Sequence, residues 1–241
     1  MSILYDNDVF FKKYKALRMN DSGINGMIEE PSIRKFIGNP SGKIVLDIGC
    51  GFGQQVKWLK ENGAKRVIGI DPSEKMIDEA LRFYSHVDVE FKKCFIDEYH
   101  SDEKFDLVVS SMALHYVEDL TGFIKNVRKF LTTNGHFIFS IEHPICTANP
   151  DGYNSDEKGK FWRLENYFER GRREQFWFVD GVIKYHRTTS DILQALISNG
   201  LRISGIDEPT PICEKAEINN ARGGYFYIRP SILVISALKE N

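Results

Sequence analysis

The sequence has no run of about 18 apolar residues, the length a helix needs to cross a bilayer. Its opening, MSILYDNDVFFKKYK, places acids and lysines where a signal peptide needs an apolar stretch and a small-residue cleavage site. The expectation is a chain that is neither secreted nor membrane-bound, working in the cytoplasm. Cysteine is sparse and scattered: Cys50, Cys94, Cys146 and Cys213 form no CxxC pair and have no histidine at ligand spacing. That pattern excludes a zinc signature, leaves no metal expected, and reads as reduced thiols rather than a disulfide framework. An excess of one charge is missing too, with 32 Lys plus Arg against 34 Asp plus Glu and a net charge of −2. No whole-molecule field draws such a chain onto nucleic acid or an anionic membrane. Internal repeats and low-complexity tracts are also lacking.

What is present is apolar material in quantity, 42% of 241 residues. A compact chain of this length buries roughly 70–75% of its unfolded surface, so a single domain over residues 1–241 is expected. From about residue 40 to 142, short apolar runs alternate with segments of helical period, the rhythm of βαβ units. The runs Ile44-Val45-Leu46, Val67-Ile68-Gly69-Ile70, Leu107-Val108-Val109 and Phe137-Ile138-Phe139 are continuous, as in strands covered on both faces. Val87, Val89 and Phe91 alternate with acids, which suits a sheet edge. Leu120, Phe123, Ile124, Val127, Phe130 and Leu131 predict a helix stopped by Asn134-Gly135. Ser73 predicts the cap of another, and a third is expected from Gln54 to Asn62. After residue 142 the rhythm breaks for some forty residues and resumes with Ile192, Leu193, Leu196 and Ile197. Two strand-like runs, Leu201 to Ile206 and Tyr225 to Ala237, close the chain; without a helix between them they should pair antiparallel.

The most informative segment is Val45-Leu46-Asp47-Ile48-Gly49-Cys50-Gly51-Phe52-Gly53, a buried strand running through alternate glycines into a helix. Such a turn lets a ligand lie against bare backbone beside a helix N-terminus. A dinucleotide fingerprint would have its third glycine at position 54, which is Gln54, and Asp47 would repel a pyrophosphate. A cofactor with positive charge and no phosphate fits better. The second strand ends at Asp71, before Pro72, where a carboxylate can accept from both ribose hydroxyls; as a bare turn residue it would instead cap the bend.

With these residues in place, the chain resembles the class I S-adenosylmethionine-dependent methyltransferases that act on small molecules. The resemblance spans about residues 40–145 and rests on VLDIGCGFG, VIGIDPSEKMIDEA, FDLVVSSMALHYVED and the passage from Phe130-Leu131 to Gly135-His136-Phe137. It implies an α/β, Rossmann-like seven-stranded sheet of order 3-2-1-4-5-7-6, strand 7 antiparallel, with helices on both faces. It also implies S-adenosyl-L-methionine as cofactor. Gly49, Cys50, Gly51 and Gly53 would pass its methionine and ribose parts. Asp47 would hold the ammonium and Asp71, followed by Pro72, the ribose. Met76 would lie near the adenine, and Ser111 would offer backbone to the methionyl group. Many relatives have an acid after strand three for the adenine amino group; here Cys94 or Phe95 falls near that place, and Phe95 would pack on the ring.

Methyl transfer from a sulfonium is a direct displacement, accelerated by alignment, with a general base needed only when the acceptor must lose a proton. His115, just after strand four, is one candidate base, or else a loop histidine bonded to backbone. Glu142 and His143 follow strand five; Pro144 keeps His143 extended, so the two point to opposite sides, and Glu142 is expected inward. Residues 1–40 include an amphipathic helix, Phe10 to Arg18, which in relatives closes over the cofactor and offers Tyr14 and Arg18 to the methionyl carboxylate. Residues 145–187 form an insertion rich in aromatics, with Arg163, Arg170, Arg172 and Arg173 among them. It reads as a lid over a small anionic or aromatic acceptor, as a second small core, or as an RNA-stacking surface, the last disfavoured by the neutral charge. The expected partner is a small-molecule methyl acceptor; a membrane is excluded, nucleic acid is disfavoured, and a homo-oligomer is compatible. Two rival readings stand beside the methyltransferase: an NAD-dependent oxidoreductase and a non-catalytic S-adenosylmethionine-binding protein. Oxygen, nitrogen, carbon and sulfur acceptors all suit the scaffold.

Overall fold

The computed structural model describes residues 3–19, 24–84, 88–212 and 226–240. Val87, Cys213 and Tyr225 lie outside the described residues. Strands β1 (Ile44–Ile48), β2 (Arg66–Asp71), β3 (Glu90–Lys93), β4 (Phe105–Ser110) and β5 (Leu131–Glu142) are parallel; β10 (Leu201–Asp207) and β11 (Ile232–Lys239) complete the sheet. Its order is β10-β11-β5-β4-β1-β2-β3, with β11 antiparallel to both neighbours. Counting only its seven strands, this is the order 3-2-1-4-5-7-6 anticipated from sequence.

Both faces are covered, which is why the central strands carry continuous apolar runs. On one face Leu46, Ile48, Ile70, Val108 and Phe139 pack with α5 (Leu120–Phe130) and α7 (Thr189–Ser198). On the other, Val45, Val67, Val109, Ile138 and Val234 pack with α2 (Glu30–Ile37), α3 (Gln54–Glu61) and α4 (Glu74–Tyr84). Helix α5 alone buries Leu120, Phe123, Ile124, Val127 and Phe130, each worth roughly 1.5–3 kcal/mol of transfer free energy. The Ser73 hydroxyl oxygen accepts from the Met76 amide at the start of α4, as its position predicts. Thr188 and Asp191 cap α7 reciprocally.

Two boundaries differ from the sequence reading: the last strand begins at Ile232, with the described residues 226–231 lying outside it, and the helix before β5 ends early. Helix α5 ends at Phe130, and Leu131 is already extended (φ −69°, ψ 140°) and paired with Phe105. Asn134 (φ +62°) and Gly135 form an irregularity within β5, after which His136 pairs with Leu107. Burial of Leu131 between strand and core, at 1% exposure, outweighs continuation of the helical period.

The stretch without rhythm folds as α6 (Pro144–Ala148) and two hairpins apart from the main sheet, β6 (Tyr153–Asp156) with β7 (Gly159–Trp162), and β8 (Gly171–Trp177) with β9 (Val179–His186). Ahead of β1 lie a 3₁₀ turn (Leu4–Asp6), α1 (Asp8–Met19) and a π-helical turn (Asn25–Glu29) leading into α2. The tip of the β8–β9 hairpin reaches α1: the rings of Phe10 and Trp177 meet edge to face at 5.1 Å, and Lys13 donates to the Phe178 carbonyl. Among the described residues no helix is long and apolar enough to cross a membrane.

Candidate active site

The chain leaves β1 for β2 and β3 on one side and returns to β4 and β5 on the other, so a crevice opens beyond the carboxyl ends of β1 and β4. Strand pleat decides what enters it. Asp47 alternates with Leu46 and Ile48, which sends its carboxyl toward the face of α2 and α3; Asp71 and Ser140 share that parity with Val67 and Ile138.

The turn after β1 is tied down by the Gly49 and Cys50 amides, which both donate to the Ile70 carbonyl, at 2.8 and 3.0 Å. Gly49, Gly51 and Gly53 all have positive φ. A Cβ on Gly49 would sit 2.7 Å from that of Ala113, so packing alone requires a glycine there. A Cβ on Gly51 would meet nothing within 4 Å. That glycine borders open space, where a ligand can approach the backbone. The Cys50 thiol is buried and pushed far up by burial, then by Asp71 and Asp47, which leaves it inert.

Asp71 holds the edge of this space. One carboxylate oxygen accepts from the Gly51 amide at 3.0 Å and the other from the Ser73 amide at 2.9 Å. Burial still pushes its carboxyl up to about 6 against those bonds. Pro72, partly exposed, follows. Asp47 is more extreme: it is 1% exposed, and among the described residues neither carboxylate oxygen has a hydrogen-bond partner. Burial, with Asp71 and Glu29 adding negative charge, pushes it up to about 8. A buried acid with no donor is costly unless something cationic completes it. The bare backbone at Gly51, the acid at Asp71 and the unpartnered acid at Asp47 together fit a nucleoside with a cationic tail.

Other anticipated residues surround this centre. Tyr14 packs on Phe52 of the turn, ring centres 5.8 Å apart, and burial raises its phenol pKa. Arg18 is bonded to Gln54 of α3 and to Glu30 of α2. Met76 is 2% exposed on α4 and joins neither core cluster. Phe95 is 49% exposed after β3, where the preceding Cys94 amide donates to the Asp71 carbonyl. The Ser111 hydroxyl donates to Glu29 at 2.8 Å.

On the acceptor side, Glu142 at the end of β5 meets a residue the sequence reading missed, Lys184 of β9, at 2.6 Å. Lys184 is 7% exposed, and its ammonium lies 5.3 Å from the Trp177 ring centre. Burial resists ionisation of Glu142, but Lys184 and then His115 bring its carboxyl below the ordinary value. His115 itself is buried; its Nδ1 accepts from the Glu142 amide at 3.3 Å, leaving the proton on Nε2. Burial and then Lys184 hold its pKa down at about 3. A ring so disposed donates from Nε2 and is a poor proton acceptor. His143 sits 3% exposed, accepting from the Ile145 amide through Nδ1 as the cap of α6 and bonded through Nε2 to Glu208 at 2.8 Å. Glu142 and His143 thus diverge, as Pro144 predicts.

Tyr5, also missed, donates to the Tyr116 hydroxyl at 3.3 Å, and its ring centre lies 5.1 Å from that of Tyr14. Lys184 was legible in principle, since it falls between Val182 and His186 on the buried parity of β9. Nothing separates Glu29 from Glu30 in sequence. The arginines of the insertion are committed: Arg163, Arg170 and Arg172 pair with Glu165, Asp191 and Glu174, and Arg173 donates to backbone carbonyls.

Comparison with known proteins agrees with this geometry. A family described as a methyltransferase domain matches residues 46–139. An uncharacterized protein from Haemophilus influenzae is 34% identical over 98% of this chain and 96% of its own length. The ubiquinone biosynthesis O-methyltransferase of Bradyrhizobium diazoefficiens is 33% identical, but over 48% of each chain only. The crystal structure of an S-adenosylmethionine-dependent methyltransferase from Mesorhizobium loti superposes with a TM-score of 0.79 at 34% identity, covering 90% of this chain and 99% of that one. Sequence motif, sheet order and a crevice built for a cationic nucleoside converge: the chain belongs to the class I S-adenosylmethionine-dependent methyltransferases, with S-adenosylmethionine as its cofactor.

Proposed function

We propose that this enzyme methylates a small-molecule acceptor held between the strand ends and a roof made by residues 1–40 and 145–187 of one 241-residue domain. The observation that carries the reading is the buried, unpartnered Asp47 carboxyl beside the open face of Gly51. When bound, the cofactor supplies an electrophilic methyl on a sulfonium. Asp47 meets the ammonium group, and Asp71 accepts from the ribose hydroxyls with the lone pairs its two amide bonds leave free. The turn through Gly49, Cys50, Gly51 and Gly53 passes the methionyl and ribose parts; Ser111 flanks the former. Met76 and Phe95 border the adenine, with Pro72 shaping the bend between. Tyr14 and the remaining N–H groups of Arg18 close over the carboxylate.

Aromatic rings flank the Glu142–Lys184 pair: Trp177 lies beneath the Lys184 ammonium, Tyr116 stands beside His115, and Tyr14 packs on Trp177. Flat, partly apolar acceptors with a protic nucleophile suit such walls. Glu142, kept ionised by Lys184, takes the departing proton, while His115 orients the acceptor through its Nε2–H and His143 buttresses α6. The name of the Bradyrhizobium relative, an O-methyltransferase of ubiquinone biosynthesis, supports a small-molecule acceptor. The arginines of the insertion are paired with acids or bonded to backbone, which weakens the case for an RNA surface.

Thermal unfolding tests the cofactor site. S-adenosylhomocysteine at a hundredfold excess over its Kd should stabilise the protein by about 2.7 kcal/mol, and NAD should leave the melting point unchanged. A shift from NAD alone would instead support the oxidoreductase reading. Labelled S-adenosylmethionine offered with a panel of phenols, amines, carboxylic acids and thiols should label one class; no labelled product would favour a cofactor-binding protein without catalysis. Asp71→Ala should weaken S-adenosylhomocysteine binding ten- to a hundredfold, about 1.5–3 kcal/mol for the lost charge-assisted bonds. Unchanged affinity in calorimetry would refute the ribose role.

A further inference from the structure

Glu29 belongs to no motif of the sequence, yet it is 1% exposed at the end of the π-helical turn that leads into α2. One of its carboxylate oxygens, Oε1, accepts from the hydroxyls of both Ser111 and Ser140, at 2.8 and 2.7 Å. Ser140 in turn accepts from the Met112 amide at 2.9 Å. Glu29 is therefore pinned to the carboxyl ends of β4 and β5, on the sheet face toward which Asp47 turns. Among the described residues both buried oxygens of Asp47 lack a hydrogen-bond partner, whereas Glu29 is held through Oε1. With two buried acids on one face and Asp47 left without a donor, the arrangement is incomplete.

We infer that Glu29, held by Ser111 and Ser140 on the sheet face toward which Asp47 turns, is a further specificity residue of the cofactor site that acts with Asp47 in receiving the cationic methionyl group. The inference rests on the cofactor placement proposed above. Its chemistry is a single proton transfer: the O–H bond of the Asp47 carboxyl breaks, the proton passes to solvent, and the carboxylate left behind meets the ammonium. Glu29 acts on that step through the field it adds beside Asp47. The other ionisable groups around the pair are Asp71 from β2, Cys50 from the turn, Tyr14 and Arg18 from α1, and Glu30 from α2. Arg18 is the cation among them, and its bonds go to Gln54 and Glu30. Burial raises the Glu29 carboxyl despite its serine bonds, so both acids resist ionisation until a cation is present.

Calorimetric titration with S-adenosylhomocysteine, which has the ammonium group, reads this directly. Run on the full chain in phosphate and in Tris, whose ionisation enthalpies differ, it counts the protons exchanged. With Asp47 titrating at about 8, binding at pH 7 should release most of a proton, and affinity should tighten by about an order of magnitude between pH 6.5 and 8. Glu29→Gln keeps a carbonyl oxygen for the two serines but removes the charge. It should release fewer protons, flatten the pH dependence and weaken binding at pH 8. Asp47→Asn, a second route should the glutamine variant fold poorly, should abolish the proton release attributed to that group. Tight binding without proton exchange, or an unchanged proton count and slope in Glu29→Gln, would overturn the inference while leaving the cofactor placement intact. No binding by the wild-type chain would overturn that placement and the inference with it.

Discussion

Asp47→Asn is expected to stabilise the ligand-free protein and to weaken its hold on the cofactor, two consequences of one misplaced charge. In the unfolded chain the carboxyl titrates near its ordinary 3.8; in the fold, burial and then Asp71 and Glu29 move it to about 8. A folded value above the unfolded one means that the native state prefers the proton. The stability tied to that preference is complete below pH about 4 and is lost steadily as pH rises toward 8. At pH 7 the loss is on the order of 4 kcal/mol, from about three units of separation at 1.36 kcal/mol each.

Asparagine has nearly the same shape and never ionises. Relative to wild type, the variant should therefore melt higher by roughly 10 °C at pH 7 and by less and less toward pH 4, where the two curves meet. The same change removes the charge that meets the ammonium, so S-adenosylhomocysteine should bind ten- to a hundredfold more weakly at pH 8. Differential scanning calorimetry from pH 4 to 8, with and without ligand, tests both halves. A melting difference that does not vary with pH would show that Asp47 is already ionised or solvated in the free protein. Sites that gain stability on losing a functional charge are common where binding demands an unfavourable group.

Lys184→Met is expected to act in the opposite direction, destabilising the fold and disabling transfer together. Removing one partner of a buried ion pair costs about 3–5 kcal/mol because the survivor stays buried and unpaired. Glu142 has a fifth of its side chain exposed, so water screens part of this and about 2–3 kcal/mol is expected here. The melting point should fall by roughly 5–10 °C. Without the ammonium the Glu142 carboxyl rises, and the pH at which turnover half-develops should rise with it; transfer to the acceptor found by screening should slow about a hundredfold at pH 7. Adding Glu142→Gln removes the stranded charge and should restore most of the stability but none of the transfer. A double variant as unstable as the single one would mean that Lys184 acts by packing on Trp177 and not by holding Glu142.

How far the sequence led can be judged at these same residues. The order of the sheet came with the family resemblance, and the missing helix before the last strand, a local feature, agreed with it. Asp47, Gly51 and Asp71 were legible because a strand that ends in a glycine turn places its neighbours by geometry of a few residues. The boundary of α5 was misplaced by a few positions, since Leu131 suits helix and strand alike until the core claims it. His115 was visible as a histidine after β4, but its low pKa comes from burial and from Lys184, sixty-nine positions away in the chain, on a hairpin with no motif.

The motifs and the family resemblance built on them were sufficient to indicate the fold class and the cofactor, because each is encoded by residues that are near neighbours in the chain. The tertiary structure alone decided that Glu29 would be bonded to Ser111 and Ser140 on the face toward which Asp47 turns, that Lys184 would pair with Glu142, and that His115 would be buried with its Nδ1 accepting from the Glu142 amide. Those properties are set by charge and solvent exclusion, which depend on what lies across a few ångströms of space rather than along the chain.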